Sequence, residues 1–445
     1  MSGPGECTRI DKTASRPLPD LVRGSPLRAR PEQRLGNVAF IDLLHRRMDA
    51  KGDQGSLSDL LLVLEREQRL GAKNTNACRN PAEEKPGLAL IRCDGGGMLG
   101  YGHVKRTLTL AKSLRDCEGF EVLFALNGEQ DAADTIRRER FKTIVLPRAG
   151  QTNAFISLVA DHKPGILIVD AGTNISRDML TRMSTQVGIL ALIGDASDRR
   201  LAATHVYYPV TSQGQSVSWT LAQTKVRAGW EWALLGFDPE LVSAPAAVRD
   251  PERPTVVISM GGSDPLELTR VAARGLAKIS APFRARFVIG PGFRGSQGLI
   301  RDIEAMNPAF ETVQGVQDLG AEFAAADLAL VSFGVTAYEA AALGVPALYL
   351  ALSDDHRFMA ESFEAAGMGK VLGLSRELRA DDVGRSVAQL LQDKELRRKM
   401  RAAGVGALDG KGGERIAADL AEALAEHKRP KHTAVAHAVV NSTSL

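Results

Sequence analysis

Residues 88–114 read LALIRCDGGGMLGYGHVKRTLTLAKSL, a stretch that predicts a strand, a loop and a helix in that order. An apolar run over Leu88–Arg92 leads into the glycine-rich segment Asp94–Gly102, and a helical pattern begins at His103. Apolar residues then recur at the spacing that places them on one helix face. They are Val104, Leu108, Ala111 and Leu114. The order of strand, glycine-rich loop and amphipathic helix is typical of the first unit of a doubly wound α/β domain.

Short apolar runs separated by helical patterns continue along the chain, and this alternation predicts parallel sheets. In the first half they are Glu121–Leu126, Lys142–Leu146, Gly165–Asp170 and Gly188–Ile193. In the second half they are Thr255–Met260, Arg286–Ile289, Leu328–Val331, Ala347–Leu352 and Lys370–Leu372, with helices filling Ala380–Ala425. Because single cores stop growing near ~250–300 residues, we expect 445 residues to form more than one domain. We predict α/β architecture with two Rossmann-like domains, at 87–238 and 239–427.

The two ends of the chain lack this alternation. Residues 1–34 are rich in Pro, Arg, Gly and Ser, a composition that predicts disorder. Helical patterns follow at Val38–Met48 and Ser58–Leu70, and residues 71–86 have the composition of a linker. The extension 1–86 either packs on its own domain or docks a protein partner. Residues 428–445 are predicted to be a flexible tail.

The charge balance argues against a nucleic-acid partner. Lys and Arg number 56 against 53 Asp and Glu, a net charge of +3 that does not imply a broad basic face. No stretch approaches the ~18–20 apolar residues of a membrane span, and the N-terminus shows no apolar signal-peptide core. The four cysteines lack metal or disulfide spacing. We therefore expect a cytoplasmic protein with no membrane span.

Glycine-rich turns follow two strands of the second domain. Gly261–Ser263 follows its first strand, and Gly334–Thr336 opens a helix that carries Glu339. Backbone amides in such turns can approach an anion closely, and Glu339 could accept hydrogen bonds from ribose hydroxyls. The alternative is that Thr336 caps the helix and Glu339 complements its dipole. Neither turn has the spacing of a P-loop or a dinucleotide-binding fingerprint.

His103 is the candidate general base. It stands at a predicted helix N-terminus beside glycines, where the helix dipole disfavours the imidazolium and keeps the ring a neutral base. The alternative is a histidine that braces the loop. The chain contains no D-x-D, H-x-x-H or E-x-x-H motif, so we expect no metal and no cofactor. Diphosphate charge would be balanced by amides, a helix dipole and Arg106.

These motifs together resemble a known family. Arg92–Asp94 and Gly100–Arg106 (GYGHVKR) closely resemble the opening motif of the UDP-sugar hydrolases of the pseudaminic-acid pathway and the related spore-coat polysaccharide proteins. The resemblance covers roughly residues 88–375 and continues through Asp170, Ile193–Asp195, Trp232–Leu235, Ser259–Asp264, Ala326–Leu328 and Gly334–Pro346. Residues 255–375 also resemble the C-terminal domain of the N-acetylglucosaminyltransferase that makes lipid II, of glycosyltransferase family 28. Both families have the GT-B architecture, in which two Rossmann-like domains face a cleft.

The resemblance implies a role for each candidate residue. The catalytic residues would be His103, Asp94 and Arg106, with His103 as the base. UDP would lie in the second domain, on Gly261, Gly262, Ser263, Val316, Gly334, Val335, Thr336 and Glu339. The sugar or acceptor would contact Gly102, Asp170, Asp355 and His356. Two segments depart from the hydrolases, which usually carry an aromatic residue after the acid at 170 and an Asn-Gln pair near 354.

Three functions remain open at this point. The first is hydrolysis of a UDP-sugar with inversion at the anomeric carbon, in surface-glycan or nonulosonic-acid biosynthesis. The second is an inverting glycosyltransferase in which the same base acts on an acceptor hydroxyl, positioned by Asp354–His356. The third is a non-catalytic nucleotide-sugar-binding scaffold that assembles partners through its N-terminal extension.

Overall fold

The computed structural model describes residues 87–96, 99–172, 174–210, 224–237, 240–243, 252–293, 296–316 and 319–429. These residues belong to one compact unit of the chain, Ala77–Leu445. The helical patterns predicted at Val38–Met48 and Ser58–Leu70, and the tail beyond 429, lie outside the described residues.

The first domain is built on a parallel sheet. Its strands are β1 (Leu88–Gly95), β2 (Glu121–Gly128), β3 (Lys142–Val145), β4 (Ile166–Asp170), β5 (Ile189–Ile193), β6 (His205–Tyr208) and β7 (Lys225–Ala228). The seven strands pair in the order β3-β2-β1-β4-β5-β6-β7. Central strands such as β4 are buried along their whole length, because helices cover both faces of a doubly wound sheet.

The second domain repeats this plan with a parallel sheet of its own. Its strands are β8 (Thr255–Ser259), β9 (Arg284–Ile289), β10 (Phe310–Gln314), β11 (Leu328–Ser332), β12 (Ala347–Ala351) and β13 (Gly369–Leu374). They pair in the order β10-β9-β8-β11-β12-β13. The prediction of two doubly wound α/β domains is therefore confirmed. Strands β6, β7 and β10 were not predicted.

Helices connect the strands and cover the sheets. They are α1 (Gly102–Asp116), α2 (Gln130–Arg138), α3 (Gln151–His162), α4 (Arg177–Ser184), α5 (Glu240–Ser243), α6 (Leu268–Leu276), α7 (Ser296–Met306), α8 (Leu319–Ala324), α9 (Val335–Ala342), α10 (Asp354–Ala365), α11 (Ala380–Gln392), α12 (Lys394–Ala407) and α13 (Gly412–Lys428). The apolar face predicted for α1 is buried. No described helix is long and apolar enough to cross a membrane.

In both sheets the strand order reverses next to the first strand, and ligands of such folds bind at the carboxyl ends of the strands there. In the first domain this point lies between β1 and β4, and in the second between β8 and β11. The glycine-rich loops after β1, β8 and β11 start there, so the topology brings the predicted site residues to neighbouring strand ends.

The last helix among the described residues, α13, packs on the first domain although its sequence follows the second. Ile416, Leu420 and Leu424 are buried in the same apolar core as strand residues such as Ile91 and Ile168. The sequence analysis assigned this segment to the second domain. The position of α13 in the sequence does not show that it packs on the first domain.

Candidate active site

A histidine, an arginine and an aspartate meet at the carboxyl edge of the first sheet. His103 and Arg106 stand one turn apart in α1, and Asp170 is the last residue of β4. Nδ1 of His103 lies 2.8 Å from Oδ1 of Asp170. Nε of Arg106 donates to Oδ2 of the same carboxylate at 2.6 Å, and its Nη2 donates to Oδ1. The side chain of Asp170 is 1% exposed, so these contacts hold it behind the histidine.

The contacts of Nδ1 fix the tautomer of His103. An ionised carboxylate can only accept a hydrogen bond, and a guanidinium can only donate. Nη2 of Arg106, which carries two hydrogens, lies 3.0 Å from Nδ1 and also donates to Asp170. Nδ1 cannot both donate to the carboxylate and accept from the guanidinium. The shorter contact therefore assigns the hydrogen to Nδ1, and Nε2 of the neutral ring carries the lone pair that can accept a proton.

Asp170 remains ionised although it is buried. Burial opposes its charged form, but Arg106 and His103 together outweigh burial and hold its pKa below the ordinary range. Asp170 was predicted to contact the sugar or acceptor. In the structure it lines neither of the two cavities described below, and its oxygens are engaged by the side chains in front of it.

Asp94 is also buried and fully engaged. It accepts hydrogen bonds from Arg92 at 2.7 Å, from Asn127 at 2.9 Å and from the backbone N–H of Gly172 at 2.5 Å. Burial opposes ionisation here as well, but Arg92 and these hydrogen bonds lower the pKa of Asp94. The side chain ties β1 to β2 and to the loop after β4, and it lines neither cavity. It braces the strand ends under the site.

The larger of two adjoining cavities, of about 470 Å³, lies between the two domains. We call it the nucleotide cavity, because it contains most of the residues predicted to bind UDP. Of the residues predicted to bind UDP, it is lined by Gly261, Gly262, Val316, Gly334, Val335, Thr336 and Glu339. Ser263 does not line it. Helix α9 begins at Val335, so its free N-terminal amides face this cavity.

Glu339 projects from α9 into the same region. It is 3% exposed, and its Oε1 accepts a hydrogen bond from the backbone N–H of Gly236 at 3.1 Å. Gly236 lies at the end of the first domain, and a Cβ at this position would stand 2.6 Å from that oxygen. Glu339 therefore connects the nucleotide cavity to the end of the first domain.

The first domain contributes residues to the nucleotide cavity that the sequence analysis missed. Lys105 of α1 lines it, as do Tyr101, Asp131, Thr135 and Arg138. The hydroxyl of Tyr101 donates to Asp131, which links the glycine loop to α2. Lys105 stands two residues from His103, and the apolar spacing of α1 shows only that Lys105 lies outside the buried face of this helix. Only the three-dimensional arrangement shows that Lys105 lines a cavity together with residues of the second domain.

A smaller cavity of about 340 Å³ adjoins the first. Both are lined by Gly102, Phe333, Gly334 and Val335. The remaining lining residues of the smaller cavity are Leu99, His103, Arg106, Ile193, Gly194, Tyr207, Pro209, Trp232, Leu234, Tyr338, His356 and Met359. Of the residues predicted to contact sugar or acceptor, this cavity therefore brings together Gly102 and His356, along with the base candidate. Asp355 is exposed at the start of α10 and lines neither cavity.

Burial lowers the pKa of His356, and nearby Asp355 only partly opposes this, so the ring is neutral near pH 7.

Within the described ranges, no group of three or more His, Cys, Asp or Glu side chains is arranged to hold a metal ion.

No protein-family model matches the chain. The spore coat polysaccharide biosynthesis protein SpsG of Bacillus subtilis (strain 168) is 23% identical over 334 residues, which cover 74% of this chain and 96% of that protein. The UDP co-structure of S. aureus MnaA has a TM-score of 0.56 at 14% identity, over 74% of this chain and 94% of that chain. MurG of Acinetobacter baumannii has a TM-score of 0.55 at 14% identity, over 75% and 99%. The chain therefore has the GT-B fold of two Rossmann-like domains, and most of its length is similar to a spore coat polysaccharide biosynthesis protein.

Proposed function

We propose that this protein is a UDP-sugar hydrolase that cleaves the bond between the anomeric carbon and the diphosphate with inversion. Its place would be in the biosynthesis of a surface glycan or a nonulosonic acid. The similarity to a spore coat polysaccharide biosynthesis protein supports the glycan context. The UDP in the S. aureus MnaA co-structure supports uridine as the nucleotide.

The observation that carries the proposal is the position of His103. Its Nδ1 is held by buried Asp170, and its ring lines the cavity beside the nucleotide cavity. A general base needs a fixed tautomer, a lone pair that faces the reactant and a partner that stabilises the imidazolium formed. Asp170 fixes the tautomer of His103 and would stabilise the imidazolium.

In the proposed reaction, Nε2 of His103 takes a proton from water as the water oxygen bonds to the anomeric carbon. The bond from that carbon to the diphosphate oxygen breaks, and UDP leaves with the electron pair. The products are the free sugar of inverted configuration, UDP and one proton, which His103 returns to solvent.

The leaving diphosphate needs stabilisation that grows as its charge develops. The turns at Gly262 and Gly334 and the N-terminus of α9 line the nucleotide cavity and offer backbone amides. Lys105 adds a positive charge from the first domain. The carboxylate of Glu339 would bind the ribose hydroxyls, which fix the nucleotide but take no part in bond cleavage.

The second candidate is an inverting glycosyltransferase with the same base. Exposed Asp354 and Asp355 at the start of α10, next to His356, favour this alternative. An acceptor that bound them would approach from the side of the smaller cavity. Neither carboxylate lines that cavity, which favours water over a bound acceptor.

The deciding experiment measures UDP release from a panel of purified UDP-sugars without any acceptor, with products identified by mass spectrometry. A hydrolase releases free sugar at full rate under these conditions. A transferase stays slow until cell extract supplies an acceptor, and its product has a higher mass than the free sugar. Binding of UDP-sugars with no product under either condition would leave only the scaffold function.

A further inference from the structure

The segment that leads from the first domain to the second is anchored in both. Leu234 is buried in the apolar core of the first domain, whereas Leu235 and Phe237 are buried in a core of the second. The hydroxyl of Thr109 in α1 also donates to the backbone carbonyl of Leu235. The backbone of this segment is therefore held from both sides, and Gly236 lies at its centre.

Two charged residues of the nucleotide cavity meet at Gly236. Its backbone N–H donates to Oε1 of Glu339 at 3.1 Å, and a Cβ at this position would stand 2.6 Å from that oxygen. The same Cβ would stand 3.0 Å from Cβ of Lys105 and 3.3 Å from its Cδ. Glu339 and Lys105 line the nucleotide cavity, whereas Gly236 does not. Any effect of Gly236 on a bound nucleotide therefore passes through these two side chains.

The need for glycine at this position comes from the contact with Glu339 and not from the backbone conformation. The φ angle of Gly236 lies outside the left-handed region, so the main chain here would accept an alanine. An added methyl group would instead meet the carboxylate, which is the end of a flexible side chain and can turn to another rotamer. Alanine would thus displace the carboxylate of Glu339 while the segment stays anchored in both cores.

We propose that Gly236 is a positioning residue of the nucleotide site. Its N–H orients the carboxylate of Glu339 towards the ribose hydroxyls, and its lack of a side chain leaves room for both Glu339 and the stem of Lys105. This inference rests on the proposed function, since it takes ribose as the ligand of Glu339. Because Leu234 and Thr109 tie this segment to the first domain, ribose binding by the second domain depends on the first.

Gly236→Ala tests the inference, with Gly165→Ala as the matched control. The φ angle of Gly165 also lies outside the left-handed region, and a Cβ there would stand 3.0 Å from Cδ2 of Leu424, again the end of a flexible side chain. Gly165 lines neither cavity. Calorimetry on the full chain measures the Kd for UDP and for 2′-deoxyuridine diphosphate. The same measurements are made on Glu339→Ala and on the double variant Gly236→Ala/Glu339→Ala, and thermal unfolding gives each melting temperature.

The wild type should bind UDP about tenfold or more tightly than the deoxy analogue, because the analogue lacks a hydroxyl that donates to a carboxylate. Gly236→Ala should weaken UDP binding about tenfold and reduce this preference to about threefold or less, since the displaced carboxylate no longer meets the hydroxyl. Gly165→Ala should change neither quantity. In the Glu339→Ala background, Gly236→Ala should alter the Kd for UDP by no more than about twofold, because the methyl group has no carboxylate to displace.

The inference is overturned if Gly236→Ala keeps the wild-type Kd for UDP, or if it weakens UDP and the deoxy analogue equally. An equal loss of UDP affinity with and without Glu339 also overturns it, because the glycine then serves only the connection between the domains. If Gly236→Ala does not fold, the double variant decides: it should unfold at the temperature of Glu339→Ala, and its failure to fold overturns the inference.

The proposed function can fail separately. A wild type that prefers UDP over the deoxy analogue but releases no sugar from any UDP-sugar is not a hydrolase, and the binding comparison still decides the role of Gly236. A wild type without this preference overturns both the ribose role of Glu339 and the inference about Gly236.

Discussion

The imidazole of His103 touches a carboxylate and a guanidinium at once, and each of the three groups limits what the others can do. Arg106 keeps Asp170 ionised in a buried place. Asp170 in turn accepts a hydrogen bond from Nδ1–H, so Nε2 is the ring nitrogen that can accept a proton. A proton gained by His103 would then be stabilised by the carboxylate at 2.8 Å.

His103→Gln should lower kcat by ~10²–10⁴, the usual contribution of a positioned general base. The Kd for UDP should stay nearly unchanged, because His103 does not line the nucleotide cavity. His162→Gln is the control, since that histidine lies at the exposed end of α3. Steady-state kinetics and UDP titration make the comparison. Near-native turnover of His103→Gln would leave this residue as a brace of the glycine loop.

Asp170→Asn should change how stability depends on pH. The native pKa of Asp170 lies below its unfolded value of ~3.9. Its ionised form therefore stabilises the fold above that pH, and the stabilisation is lost as pH falls through the native pKa. Urea denaturation at pH 7, 5 and 3 should show the variant less stable than the wild type at pH 7, by an amount that shrinks below pH ~4. A constant difference across this range would contradict the paired, ionised state.

Glu339→Ala should raise KM more than it lowers kcat, because a ribose contact binds the substrate and the transition state about equally. The hydrogen bond from Gly236 complicates this variant, since alanine also releases the end of the first domain. Glu339→Gln keeps an oxygen for that N–H and isolates the effect of the charge. Initial-rate kinetics on both variants are required. A large loss of kcat with unchanged KM would exclude the ribose role.

The sequence identified which residues lie near the site, but it did not show which of their side chains face a cavity. The motif GYGHVKR identified His103 and Arg106, and both line the smaller cavity. The preceding segment Arg92–Asp94 predicted Asp94 as a catalytic residue, yet its oxygens accept hydrogen bonds from groups 33 and 78 positions away in the chain. Contacts over such separations depend on the register of β1 with β2 and β4, which no local pattern encodes.

At the scale of elements, the loop after β9 packs backbone to backbone against the turn after β8, which lines the nucleotide cavity. A Cβ on Gly290 would lie 2.3 Å from the carbonyl oxygen of Gly261 and 2.4 Å from that of Gly262. These are distances that real Cβ atoms do not reach. The loop after β9 therefore needs glycine so that the turn after β8 can keep its shape.

Gly290→Ala should weaken UDP binding by about tenfold or more and lower stability, because the turn at 261–262 must move. Gly298→Ala is the matched control. A Cβ there meets nothing within 4 Å, and the residue lies inside α7, so alanine should raise stability by up to about 1 kcal/mol. Isothermal titration with UDP and thermal unfolding measure both effects. Equal UDP affinity in the two variants would show that this packing is not needed.

The strands missed from the sequence share a physical cause. β7 and β10 form sheet edges, where one face of a strand is less covered and the continuous apolar run of a central strand is absent. Their sequences, KVRA and FETVQ, mix charged and apolar residues. β6 is interior, but it has only four residues and begins with His205. The central strands were predicted because burial on both faces demands an apolar run.

At the scale of the whole molecule, helix α13 follows the second domain in sequence but packs on the first domain. Asp419 of this helix accepts a hydrogen bond from the hydroxyl of Tyr207 at 2.8 Å and pairs with Arg227 at 2.6 Å. Tyr207 lies in β6, and its ring lines the smaller cavity. Helix α13 thus supports a wall of the smaller cavity from the side of the first domain. The alternation of strands and helices predicted both domains, but it carries no signal for a helix that returns to the earlier one.

This arrangement predicts that a change in α13 affects the smaller cavity, which contains His103, and leaves the nucleotide cavity intact. Asp419→Ala leaves the Tyr207 hydroxyl and the Arg227 guanidinium without their partner, which should cost about 1–3 kcal/mol of unfolding free energy. Because the ring of Tyr207 is then less firmly held, kcat/KM for the UDP-sugar should fall while the Kd for UDP stays constant. Glu426→Ala, two turns along the same helix, removes only an exposed pair with Lys225 at 3.5 Å, which is worth at most ~1 kcal/mol. Urea denaturation, kinetics and UDP titration of the two variants give the comparison. If Asp419→Ala and Glu426→Ala lose the same stability, or if UDP affinity falls along with kcat/KM, then α13 does not support the smaller cavity through Tyr207.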